Sequence, residues 1–175
     1  DCIEIESILR TDKKKKGIRL WSTEGREADM GYVQCPVIYL SLKRLTPIGE
    51  ERNISINNDT LSNQEKQFYK EYHNRILIAT ENDIEPEYIK STNKGTLGAK
   101  TTLHDSLTNS AGQDNLGKIL LAVMSFARLK EQYADSYKGG ILLIDELEAT
   151  LYPAAEVNLI HALNKFARDY KLQIV

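Results

Sequence analysis

Apolar positions along this chain follow two periods. A helical stripe of Phe68, Tyr69, Tyr72, Ile76 and Leu77 predicts a helix ending at about Ala79. Ser62-Asn63-Gln64-Glu65 in front of it reads as a capping box, with the serine oxygen taking helix N–H groups and Glu65 bonding back. A second helix is expected over roughly 116–133. A third opens at Pro153, whose missing N–H costs nothing in a first turn, and carries a core stripe of Leu159, Leu163, Phe166 and Tyr170. Extended patterns occupy 2–9, 18–23 and 33–42, the last containing Pro36, which argues for an edge, a strand start or a bulge. Two short strands are expected within 84–104 around Asn93-Lys94-Gly95, and another begins near Leu172. Residues 24–32 and 53–60 read as loops.

The most informative run is Gly139-Gly140-Ile141-Leu142-Leu143-Ile144-Asp145-Glu146. Four branched apolar residues without alternation suit a parallel strand buried on both faces. Two carboxylates then stand at its C-terminal end, the edge where open α/β sheets bind ligands. Adjacent residues on an extended chain point in opposite directions, so one carboxylate can hold a hydrated Mg²⁺ while the other activates a water. The competing reading is a buried strand that ends in a solvated acidic turn.

Composition narrows the class without naming a function. The 175 residues are 41% hydrophobic and 27% charged, ordinary for one globular domain. A net charge of −2 gives no overall signal for nucleic acid, although a local patch remains open. Cys2 and Cys35 are too few and too far apart for a metal framework, which points to a reducing cytoplasm. No apolar run reaches membrane-spanning length. The lysines of Asp12-Lys13-Lys14-Lys15-Lys16-Gly17 fit a solvated hairpin turn better than a phosphate contact. Gly95-Thr96-Leu97-Gly98-Ala99-Lys100-Thr101 fails as a phosphate loop, because Ala99 separates Gly from Lys and the spacing is short. His73 lacks companions at ligand spacing, so surface or lobe packing is expected of it.

Ser110-Ala111-Gly112-Gln113-Asp114-Asn115 stands before the second helix. Hydroxyl, flexible glycine and amide at a helix N-terminus form an anion cradle, or simply an N-cap. The order of loop, helix, linker and then the hhhhDE strand resembles that of ABC-type ATPases, with the loop similar to their signature motif and Asp145-Glu146 to their Walker B end. Glu148, Leu151, Tyr152 and Pro153 resemble a D-E-x-E-x-x-L-H-P run in one branch, with Tyr152 in place of the histidine. That branch holds chromosome-maintenance and break-repair ATPases, the overcoming-lysogenization-defect family, and the ATPase subunit of Septu and retron-linked antiphage systems. The run over 109–118 and the glycine pair look closest to the Septu subunit. Arg44 and Pro47-Ile48-Gly49-Glu50 resemble an arginine-and-proline stretch of that branch, though Arg44 reads equally as a surface loop residue. Gln34 weakly matches the glutamine of the Q-loop.

The resemblance implies an α/β fold: a partial P-loop NTPase of ABC type, with a parallel strand layer, an antiparallel β portion and a helical lobe. It divides a single head into a β-rich portion (1–60), a lobe with the signature-like loop (61–135) and a Walker B portion (136–175). The chain opens and closes inside apolar patterns, so a segment of a longer ATPase is expected, with Walker A upstream and a histidine switch downstream. ATP and Mg²⁺ are the implied cofactors. Asp145 would hold the metal and Glu146 would activate the attacking water. Ser110, Ala111, Gly112 and Gln113 would cap the γ-phosphate of a second copy. The implied role is an ATPase gating a nuclease or DNA-handling partner in antiphage defence, with nucleic acid possible and no membrane. Alternatives are a DNA-repair or chromosome-type ATPase and a scaffold that binds ATP but barely hydrolyses it.

Overall fold

The computed structural model describes residues 7–11, 18–22, 35–57 and 60–175. The chain forms two compact units, 1–34 and 35–175. In the first, β1 (Ser7–Thr11) pairs antiparallel with β2 (Ile18–Ser22), with Leu9 opposite Leu20. The first five residues of the strand expected over 2–9, the lysine run from Lys13 to Lys16, and Gln34 lie outside the described residues.

The second unit is mixed α/β. Strands β3 (Val37–Leu40), β4 (Ser55–Asn57), β5 (Glu85–Lys90), β6 (Gly95–Lys100), β7 (Gly140–Ile144) and β8 (Leu172–Ile174) alternate with helices α1 (Asn63–Leu77), α2 (Ala111–Tyr133) and α3 (Pro153–Asp169). One sheet is parallel, in the order β3-β7-β8, and the other is antiparallel, in the order β4-β5-β6. The hairpin expected within 84–104 is β5–β6, and the glycine-containing stretch rejected as a phosphate loop is strand β6.

Ser62 and Glu65 form the expected capping box on α1, and Pro153 occupies the first turn of α3. Helix α1 stops two residues before the expected Ala79, because Ile78 turns left-handed at φ 54° and closes the C-cap. Strand β4 lies inside the stretch read as loop, 53–60; its three residues are all exposed, Ile56 included, and carry no burial period, and pairing with β5 defines it. Of the two settings expected for His73 the structure has packing: it is buried, its ring 5.5 Å from that of Tyr69 and tilted by 31°.

The expectation that the strand ending in Asp145 is buried on both faces holds for one face only. Leu142 is fully buried with Leu40 beneath α2 and α3, whereas Ile141 and Leu143 are half-buried. Their register partners on β3, Val37 and Tyr39, are 54% and 61% exposed. Helices of this unit pack on the side of Leu40 and Leu142, so apolarity along the strand overstates its cover. The core under that side joins α1, α2 and α3 through Phe68, Tyr72, Phe126 and Phe166, with Phe166 4.6 Å from Tyr72.

Candidate functional site

Parallel strands β3 and β7 end side by side, and the Asp145 N–H extends the ladder by donating to the Leu40 carbonyl at 3.1 Å. The chain then leaves the sheet in a tight turn. Ala149 N–H donates to the Glu146 carbonyl and Leu151 N–H to the Glu148 carbonyl, each at 3.2 Å. Two residues of this turn have left-handed backbones, Glu146 at φ 49° and Thr150 at φ 70°. The second is unfavourable for a β-branched residue. Such strain persists only where surroundings hold it, and it gathers at functional sites.

Asp145 is half-buried and accepts from the Tyr39 hydroxyl at 3.3 Å; Glu146 is exposed. The Asp145 charge is the first cause that raises the Tyr39 phenol above its ordinary value. Arg44 corrects the surface-loop alternative. It lies on the 3-10 turn Leu42–Leu45, is 2% exposed, and spends its guanidinium entirely inside the protein. Nε donates to Asn115 Oδ1 at 2.8 Å, Nη1 to the Leu40 and Ser41 carbonyls, and Nη2 to the Glu146 carbonyl at 2.8 Å. Burial lowers its pKa, opposed by Asp145, Glu146, Tyr39 and Glu148. Five N–H donors in a planar fork make arginine suited to this junction, and it stays charged.

The signature-like stretch is not a loop ahead of a helix starting at 116. Helix α2 begins at Ala111, so Ala111, Gly112 and Gln113 are its first turn. Ser110 Oγ accepts from Gln113 N–H at 3.2 Å and Gln113 Oε1 accepts from Ser110 N–H at 2.9 Å, a capping box. The apolar stripe begins five residues later than the helix because the first turn is selected by the cap and not by burial. The cap uses acceptor atoms, which leaves the Ser110 hydroxyl proton and the Gln113 amide protons as donors. The N–H groups of Ala111 and Gly112 belong to the unpaired set at the helix end.

Acidic turn and helix start meet in one network. Asn115 Nδ2 donates to the Ala149 carbonyl at 2.8 Å and reaches Thr150 Oγ1 at 3.4 Å, and Thr150 Oγ1 donates to the Ala111 carbonyl. Asp145, Glu146 and residues 110–113 are thereby linked through Arg44, Asn115 and Thr150. No local pattern marks Tyr39 or Thr150; the polar Asp114-Asn115 pair opening an apolar helix is the one sequence signal for the network, and both residues are buried. Tyr152 is the N-cap residue of α3, and its hydroxyl donates to the Leu77 carbonyl rather than to the helix end.

Among the described residues no three His, Cys, Asp or Glu side chains cluster to hold a metal, and no helix is long and apolar enough to cross a membrane. A groove of about 400 Å³ between α1 and α2, with Phe68, Met124 and Tyr170 in its lining, contains none of the predicted site residues. Comparison with protein families, with curated proteins and with solved structures finds no match for this chain.

Proposed function

We propose that the chain is the ATP-binding and hydrolysing head of an ABC-type ATPase, acting in the cytoplasm as a head-to-tail pair. The observation that supports it most is the junction of a strained Asp145-Glu146 turn, at the C-terminal end of a parallel strand, with a capped helix N-terminus. Glu146 reaches solvent and would take a proton from the attacking water. Ser110, Gln113 and the first amides of α2 would meet the γ-phosphate on a second head, favoured by the helix dipole.

Asp145 fits Mg²⁺ without a protein cage. That ion keeps several waters and takes one or two carboxylates with phosphate oxygens. Tyr39 engages one oxygen of Asp145, and among the described residues the carboxylate forms no salt bridge, although the Arg44 charge acts on it. When bound, the ion would neutralise phosphate charge; Asp145 would supply the ligand and Tyr39 its orientation. A nuclease or DNA-handling partner in antiphage defence is the role the sequence resemblance favours.

The test is Glu146→Gln in the full-length protein. Turnover should fall by roughly 10²-fold or more while ATP binding survives. Unchanged turnover would remove Glu146 from the chemistry.

A further inference from the structure

The acidic turn contains two residues in a conformation they do not prefer, and each is held by one polar side chain from elsewhere. Arg44 Nη2 grips the carbonyl of Glu146, the first left-handed residue. Asn115 Nδ2 grips the carbonyl of Ala149 and reaches the hydroxyl of Thr150, the second. The two holding side chains are themselves joined by the Arg44 Nε to Asn115 Oδ1 bond, and both are buried. Neither reaches a ligand: every Arg44 nitrogen is used within the protein, and Asn115 is fully covered.

We propose that Arg44 and Asn115 are positioning residues for Glu146: they hold the turn in its strained form and tie it to the N-terminal part of α2. Resting on the ATPase reading, this makes the two composite sites of a pair communicate through each chain. A head's acidic turn serves its own nucleotide, whereas its α2 start serves the partner's, and Arg44–Asn115 joins the two. Small misplacements of a catalytic group are costly, so a loosened relay lowers turnover more than binding.

The experiment uses the full-length protein, with Asn115→Leu as the near-isosteric break and Arg44→Lys as the conservative partner. Hydrogen exchange at 145–150 should quicken in both. Turnover at saturating ATP should fall about tenfold or more in Asn115→Leu with KM within about twofold, and less in Arg44→Lys, which keeps a donor on the turn. Exchange unchanged in both variants, or faster exchange with wild-type turnover, overturns the proposal. So does a fall in turnover matched by a rise in KM, or an Arg44→Lys as damaged as Arg44→Met. Glu146→Gln run beside them separates the two readings. If it leaves turnover intact, the ATPase assignment of Glu146 fails and the catalytic role proposed for the relay fails with it, while the exchange data still report whether the relay orders the turn. If Glu146→Gln is inactive and Asn115→Leu is not, only the relay is overturned.

Discussion

A Cβ placed on Gly112 would stand 2.7 Å from the carbonyl oxygen of Thr150 in the same chain. Gly112 is therefore glycine because the turn after β7 packs against the start of α2, whatever a second copy does there. The contact also changes how the helix start can be probed. A bulky residue at 112 pushes on its own acidic turn before it meets a partner's phosphate.

Gly112→Ala should accordingly destabilise the protein by about 1–3 kcal/mol, as overpacking against backbone does. Ser110→Ala, which removes the hydroxyl that accepts at the cap, should cost about 1 kcal/mol of stability. Urea midpoints of the two variants give the comparison. A Gly112→Ala protein as stable as wild type would mean the two segments separate easily.

The trans arrangement is better tested at Ser110, which is exposed. Ser110→Arg and Glu146→Gln should each suppress turnover alone. Mixed, a head-to-tail pair holds one site with both lesions and one with neither, so activity should partly return. Mixed pairs that form, shown by mass, and yet stay inactive would count against independent sites acting in trans.

Two buried groups set opposite pH slopes. His73 is 1% exposed; burial lowers its pKa, against the raising influence of Asn74, 3.3 Å from Nδ1, and of Glu81, with the Tyr69 ring alongside. Its neutral form is the stable one, so its contribution is complete above about pH 6.5 and declines as pH falls below that. His73→Phe should flatten the loss of stability between about pH 7 and 5, read from denaturation midpoints. Asp114, fully buried in the first turn of α2, has its pKa raised by burial, against the Ile48 N–H and Lys94. Its contribution is complete below about pH 3.9 and declines as pH rises through the folded value. Asp114→Asn should remove that opposite slope.

Helix α2 lies close on β6 because Gly117 has no side chain; a Cβ there would fall 1.9 Å from the Leu97 carbonyl oxygen. Gly117→Ala gains helix propensity of about 1 kcal/mol on paper. The backbone clash should outweigh it, for a net loss of about 1–3 kcal/mol by thermal or chemical unfolding. A stabilised Gly117→Ala would show that α2 and β6 part without cost.

What the sequence determined by itself is local. The Ser62–Glu65 box, Pro153 at the start of α3, the β5–β6 hairpin and the apolar strand ending in Asp145-Glu146 follow from spacings of a few residues, where propensity and hydrogen-bond chemistry act directly. Helix α2 starts five residues ahead of its apolar stripe because a capped first turn carries no apolar period. Only the tertiary structure decided which face of β7 is covered, that Arg44 is buried, and that Glu146 and Thr150 are held left-handed. Arg44 meets Glu146 across 102 positions of chain, and no local pattern encodes a partner at that separation. The bond exists because parallel β3 and β7 end at the same edge, which brings the turn after each within reach of one guanidinium.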